Sequence, residues 1–482
     1  MKLLLTIMIL AALPALAQDP LQPHEVTRQA VPTGGIQVLN QFISSNLRIP
    51  FTSALGGINS RVYLKGVVEP DGSMTGIEVT RGIDPQCDEE AKRVLGLYKA
   101  WTPAELNGKP ARQIVHFPIT FREDPKTSFD SSMHAMVIYL DNKFRLTDQP
   151  DKAEFRRILS VNEDGYVNKD VRFDERRGNK WKPLFTVPFR KQSMYYKNEY
   201  VRTITDSVKS YRIFVQDQNL ASYAPEAVFS EDGRLLAFTQ IDEHGKTSLR
   251  KEFDLNGLLR EMHIHDDSTD TEVRWYSNGQ IRSVVIHPAN KPAIKGTDMY
   301  SDAWEPDGTQ NLKDGNGYWR AMGLDYEHKP LLEEGRIVSG AKSGVWTGKR
   351  PDSTLHYREF YHNGMLEKGV SYYGTDSVTY SNPVKQPEFK GGINAFYRYL
   401  AQNIRYPGEA ARRGAVGKVM LTFVVCEDGT MCDYKVLNSI GFGLDEEALR
   451  VVKGMNGMWN PGEMRGKTVR VQYNLPINFQ LN

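Results

Sequence analysis

Residues Gly34–Pro50 read GGIQVLNQFISSNLRIP, and residues Gly391–Pro407 read GGINAFYRYLAQNIRYP. Slid by 357 positions, the two stretches align without a gap. The register carries on through Asp71-Gly72 against Asp428-Gly429, and through Asp88-Glu89-Glu90-Ala91 against Asp445-Glu446-Glu447-Ala448. One inserted residue then pairs Trp101 with Trp459, Pro103 with Pro461, Gly108-Lys109 with Gly466-Lys467, and Pro118-Ile119 with Pro476-Ile477. Self-similarity of this kind is the mark of a duplicated structural unit, here one copy at each end of the chain.

The pattern within the unit predicts its elements. Ile393, Phe396, Tyr397, Leu400 and Ile404 fall on one stripe of a helix that stops at Pro407. Val419, Leu421, Phe423 and Val425 alternate as a strand, and Glu427-Asp428-Gly429-Thr430 turns it into a second strand around Tyr434 to Leu437. A further helix follows from Asp445, whose acidic opening residues are expected to cap free N–H groups rather than to form an acid/base pair. Val469, Val471, Tyr473, Leu475, Ile477, Phe479 and Leu481 then alternate with polar residues as a last, long strand. Pro476 lies inside that strand and Pro118 marks the same place in the first copy. Proline has no N–H for a ladder, so the strand belongs at a sheet edge, where the stretch from Val469 to Leu475 is open to an added strand.

The order GG-helix-YP, a strand ending at Asp428-Gly429, the Leu444–Ala448 helix start, Trp459-Asn460-Pro461, Gly466-Lys467 and a final VRVQYNLPINF resembles the C-terminal domain of TonB energy transducers. That resemblance implies an α+β fold at each end, two helices on a three-stranded antiparallel sheet, flanking a β-hairpin-rich centre. It also implies a non-enzymatic role: binding the TonB box of outer-membrane transporters beside the last strand. Carried over, the partner-binding residues are Val469, Arg470, Val471, Gln472, Tyr473, Asn474 and Leu475. The first copy offers, more weakly, Arg112, Gln113, Ile114, Val115, His116 and Phe117. Substituting proline at Val471 or Tyr473 is expected to remove ladder donors. Where only one copy binds, the C-terminal one is expected to do so.

Upstream, Met1-Lys2 precedes the uncharged run LLLTIMILAALPALA, with Ala15 and Ala17 around Leu16. This is the pattern of a signal peptide spanning 1–17 and hence of a periplasmic protein. The apolar run is shorter than the ~20 residues a spanning helix needs. A TonB-like transducer keeps its N-terminal helix in the inner membrane and docks on ExbB/ExbD. That partnership is expected only if this N-terminus is retained, and no proline-rich spacer is present. With 61 Lys+Arg against 59 Asp+Glu, the net charge of +2 excludes an electrostatically driven nucleic-acid or membrane binder. No small-molecule substrate and no cofactor are expected.

The centre divides into a β-rich stretch, 124–225, of unassigned family and a hairpin train, 226–385. The two TonB-like domains are expected at 28–123 and 386–482. In the train, Gly233, Gly245, Gly257, Gly279, Gly308 and Gly364 each follow Asp, Asn or His at a predicted turn, four residues after a large apolar side chain. The stretch around Gly344-Val345-Trp346 and Glu359–Gly364 resembles MORN-like repeats of YwqK-type proteins, which implies a scaffold or interaction surface. A periplasmic scaffold working through this centre, without energy coupling, is the alternative function.

Three signals imitate chemistry. Gly245-Lys246-Thr247 lacks the leading glycine of a phosphate loop, with Gln240 in that place. His263 and His265 alternate on one strand face but have no third ligand placed by sequence, so no metal is expected. Cys426 and Cys432 flank the Asp428-Gly429 turn and form a disulfide if the register brings them opposite; otherwise they are two free thiols. Cys87 is expected in the core. No catalytic motif appears in the sequence.

Overall fold

A computed structural model describes residues 19–196, 207–242, 244–288, 298–325, 327 and 329–481. The expected signal peptide, 1–17, lies outside them. The described chain is mostly β, with six helices. It divides into two compact units, Met1–Lys126 with Asn278–Gln280, and Thr127–Ser277 with Ile281–Asn482.

The first unit contains the N-terminal module. Its strands Met74–Arg81, Ile58–Val68 and Gln113–Glu123 form a three-stranded antiparallel sheet in that spatial order. Helices Ile36–Asn46 and Pro85–Leu97 bury Leu39, Phe42, Ile43, Val94 and Leu95, all at most 7% exposed.

The second unit contains the C-terminal module, in which Met431–Asn438, Gly417–Val425 and Val471–Phe479 repeat the same order. Helices Gly392–Asn403 and Leu444–Lys453 pack on it around Phe396, Phe423, Val451 and Trp459. The first helices end at Asn46 and Asn403, ahead of the prolines, and each module also holds a short third helix, Phe51–Ala54 or Gly408–Arg413, capped at its start by Pro50 or Pro407. Proline supplies a helix-compatible φ and lacks only an N–H that would have no partner at a helix start.

Three expectations need correction. The stripe on the first C-terminal helix is rotated: Ile393 and Tyr397 are 56% and 61% exposed, while Tyr399 packs on the core instead. Tyr399 meets Phe389 with ring centroids 6.0 Å apart, and Phe396 meets Phe389 and Trp459, so the aromatic cluster sets the face. The acids of the last helix cap differently too. Asp445 accepts from the backbone N–H of Ile440 and Gly441, groups of the preceding loop, and Glu447 accepts from Arg405 N–H at 2.6 Å. Finally, the last strand is broken at Arg470. Val469 belongs to the strand Lys467–Val469, which pairs with Gly462–Met464, and only Val471–Phe479 joins the main sheet. The first copy breaks alike at Arg112.

Between the modules, Phe129–Val187 supplies five strands of one sheet, and Phe189–Tyr380 supplies sixteen strands of another. The change of sheet therefore falls between Val187 and Phe189, inside the stretch read as one β-rich region. In the large sheet every strand bonds to its neighbours in sequence. All six turn glycines of the hairpin train have positive φ, between 77° and 89°. Toward the end of this sheet, Gly335, Gly348 and Gly369 sit directly opposite Trp346, Tyr357 and Tyr380 on the next strand. Each ring lies flat over its glycine: a Cβ there would come within 2.4, 2.0 and 2.3 Å of ring atoms. Glycine is needed at these positions because an aromatic ring occupies the place of its side chain.

Candidate functional site

The Val471–Phe479 strand pairs with Gly417–Val425 on one side, in a register that sets Gln472 against Val424 and Pro476 against Met420. Among the described residues, no backbone pairing is present along its other side. Val471, Tyr473, Leu475, Ile477 and Phe479 turn toward the core, while Gln472, Asn474, Pro476 and Asn478 are exposed.

The first copy shows which backbone groups face outward. There the Ile114 N–H donates to Leu21 O at 2.9 Å, and the Leu21 N–H donates to Arg112 O at 2.9 Å, an isolated parallel bridge on the outer edge. Backbone groups alternate sides along a strand, so those of His116 and Pro118 share the outward side with Ile114. Pro118 thus presents its missing N–H to the outside, where the inner ladder loses nothing. By repeat, Gln472 and Asn474 carry the outward N–H groups of the C-terminal copy. Proline at Val471 or Tyr473, the substitution suggested by sequence, strikes the inner ladder instead.

The edges thus differ. The beginning of the first copy's edge is taken by the chain's own Leu21, while a side-chain bond from Ala30 N–H to Gln113 Oε1 at 2.6 Å ties the same segment down. The strand break is braced differently as well. Arg112 reaches Glu69 at 2.8 Å, whereas Cys426 stands in the place of Glu69 and Arg470 turns to Asp433 at 2.8 Å. Arg470 also lies 3.3 Å from the Cys432 sulfur. The Cys426 and Cys432 sulfurs are 2.9 Å apart and unbonded, and their mutual contact pushes the Cys432 thiol up to about 11. Cys87 is fully buried, which raises its thiol to about 11 and fits a packing role.

Arg465 carries no signature of function in the sequence, yet it is the best-anchored side chain of the module. It occupies the Arg465-Gly466 turn between Gly462–Met464 and Lys467–Val469, with φ of 49° and 80° at the two residues. Asparagine tolerates this left-handed geometry, and Asn107-Gly108 makes the same turn in the first copy; arginine adopts it at a cost. The cost is offset by what the side chain reaches. Its guanidinium donates to Glu359 at 3.0 Å and to Glu333 at 2.9 Å, and it stacks 3.6 Å from the Tyr357 ring centre, all on the large sheet. Tyr361 and Tyr380 donate to the same Glu359 at 2.9 and 2.7 Å, and Ser371 donates to Arg465 O at 2.6 Å. Burial, then the Glu359 charge, pushes both phenols well up, so they stay neutral donors. The sequence reading passed over Arg465; the one trace of it there is that Arg465 stands where the first copy has Asn107.

In the large sheet, the side chains of His263 and His265 lie beside Asp270 from the adjacent strand. The sequence alone places no third residue beside these histidines; the strand register brings Asp270 there. Gly245 lies in a hairpin turn followed by the strand Thr247–Phe253, with no helix to hold a phosphate.

Residues 47–122 and 402–481 each match the model of the Gram-negative bacterial TonB protein C-terminal family. Both ends carry a TonB C-terminal domain. The matched segments run from the end of the first helix to the last strand of each module. This family belongs to the cell envelope, and its domains interact with outer-membrane transporters. No curated protein matches the chain. Among the described residues no helix is long and apolar enough to cross a membrane.

Proposed function

We propose that this chain is a non-enzymatic envelope protein whose C-terminal TonB-like domain takes an extended segment of an outer-membrane transporter as a fourth strand. The added strand lies along Val471 to Leu475 and bonds to the outward N–H groups of Gln472 and Asn474. Val469 and Arg470 flank this strand at its break. The observation that carries this reading is the unpaired outer edge of Val471–Phe479 among the described residues, set against the first copy's edge, where Leu21 is already bonded. Strand addition draws on backbone hydrogen bonds, which suits a chain of almost no net charge. The N-terminal copy, with Gln113 to Phe117 beside the Leu21 bridge, is a folded partner that does not itself recruit.

The expected location is the periplasm, after removal of residues 1–17, in which case ExbB/ExbD do not engage the chain. The central sheet holds the binding domain in place through Arg465. The scaffold reading, in which this sheet with its MORN-like turns is itself the interaction surface, draws on the same anchor, since Arg465 of the domain bonds to Glu359 and Glu333 of the sheet.

The test is titration of the full chain with a synthetic TonB-box peptide, followed by calorimetry and by hydrogen exchange read at single amides. Protection at Gln472 and Asn474 in the unaltered chain, with binding lost in Gln472→Pro and kept in Ile114→Pro, supports strand addition. Binding that survives Gln472→Pro removes it.

A further inference from the structure

The strand Leu259–His265 places Glu261, His263 and His265 on one face, and the strand Thr269–Trp275 places Asp270 and Glu272 beside them. The register pairs His265 with Asp270 and His263 with Glu272, so Asp270 is opposite one imidazole and diagonal to the other. His263 Nδ1 lies 3.2 Å from Asp270 Oδ1, and His265 Nδ1 lies 3.4 Å from the same oxygen. Around a tetrahedral metal with bonds of about 2.0–2.1 Å, ligand atoms stand about 3.3–3.4 Å apart, the spacing that two histidines and a carboxylate then adopt.

The outer shell favours the same atoms. His263 Nε2 meets Glu261 Oε1 at 2.8 Å, so in the tautomer with the proton held there Nδ1, 3.2 Å from Asp270 Oδ1, turns a lone pair toward a cation shared with His265 and Asp270. A carboxylate behind a histidine is the usual support of a metal ligand: it fixes the tautomer and raises ligand basicity. A second grouping, Glu261, His263 and Glu272, lies on the Nε2 side of the ring. There the guanidinium of Arg274 already lies 3.3 Å from Glu261 and 2.9 Å from Glu272, filling the place a cation would take. The three side chains on the Nδ1 side are 20%, 31% and 28% exposed, half-buried yet within reach of solvent.

We propose that His263 Nδ1, His265 Nδ1 and the Asp270 carboxylate form a binding site for a divalent transition metal of the zinc, nickel or copper class. Two imidazoles and one carboxylate suit these borderline ions better than calcium or magnesium. Three protein ligands leave a fourth position for water or for a side chain of a partner. This site is independent of strand addition at the C-terminal domain.

The full chain, freed of metal by chelator, is titrated with Co²⁺ and then with Zn²⁺. One equivalent of Co²⁺ should bind with visible d–d bands and no thiolate charge-transfer band, and Zn²⁺ should displace it. His265→Ala and Asp270→Asn, on different strands, should each weaken binding at least ten-fold, and Glu261→Gln should weaken it by about ten-fold. His362→Ala should leave it unchanged. Circular dichroism shows whether each variant is folded, and X-ray absorption of the zinc-loaded unaltered chain reports imidazole scattering without any substitution. No uptake of Co²⁺, a thiolate band placing the metal at Cys426 and Cys432, or equal affinity in folded His265→Ala and Asp270→Asn overturns the proposal.

Discussion

Arg465 Nε donates to Glu359 Oε1 at 3.0 Å across 106 residues of chain, joining the turn of the C-terminal domain to the interior of the large sheet. Glu359 is 1% exposed and Arg465 8%. Removing one member of such a pair leaves the other charge buried without a counter-charge, which costs about 3–5 kcal/mol. Arg465→Asn restores the residue of the first copy and suits the turn, yet it should lower the urea-unfolding free energy by that amount. A loss below about 1 kcal/mol would mean that the pair is merely tolerated.

The aromatic-over-glycine pairs predict a sharp contrast between two alanine substitutions. Gly348→Ala puts a methyl group 2.0 Å from the Tyr357 ring, and displacing a buried ring should cost about 1–3 kcal/mol or more. Gly323→Ala, where a Cβ meets nothing within 4 Å, should change stability by about 0.5 kcal/mol or less. Thermal melts of the two variants that coincide would refute the stacking account.

Two arginine-paired glutamates contribute to acid sensitivity. Hydrogen bonds from Arg112 and Arg450 hold Glu69 and Glu447 below the ordinary glutamate value of 4.5. A folded-state value below the unfolded one stabilises the protein above the unfolded value, and that contribution is lost as pH falls through the lowered values. Urea midpoints should therefore fall from about pH 4.5 downward. Glu447→Gln should lower the plateau and shrink the fall; an unchanged acid limb would exclude Glu447 as a contributor.

The thiols of Cys426 and Cys432 stand at contact distance on the two sides of a turn, while Cys87 is sealed in the core. Mild oxidation should link the first two within one chain and leave Cys87 alkylatable only after unfolding. Peptide mapping that finds Cys426 and Cys432 still free, or joined to another chain, would count against this pairing.

The duplication made much of the module legible, and the errors came from reading one copy by itself. Tyr397 fits a helical stripe in the second copy, but its counterpart is Asn40, whereas Phe396, Tyr399 and Leu400 align with Leu39, Phe42 and Ile43, all buried. The break at Arg470 was hidden because apolar alternation passes through it: Val469 and Val471 keep the same parity although they pair with different strands. The edge strand was legible because proline states its own hydrogen-bonding limit. The occupied edge at Leu21 was not, since a single backbone bridge leaves no side-chain pattern. Asp270 escaped notice beside His263 and His265 for a related reason: it comes from the next strand, and only the register decides which residue stands opposite.

The large sheet bonds each strand to the one before it and the one after it in the chain. Its contacts are therefore short in sequence, and its topology imposes little loop-closure cost. Such a sheet can begin to form at any hairpin and grow outward, and a hairpin gained or lost by gene rearrangement would leave the remaining pairs as they were. The number of strands between the two end domains is thus free to drift over evolution, provided the final hairpins that receive Arg465 are kept.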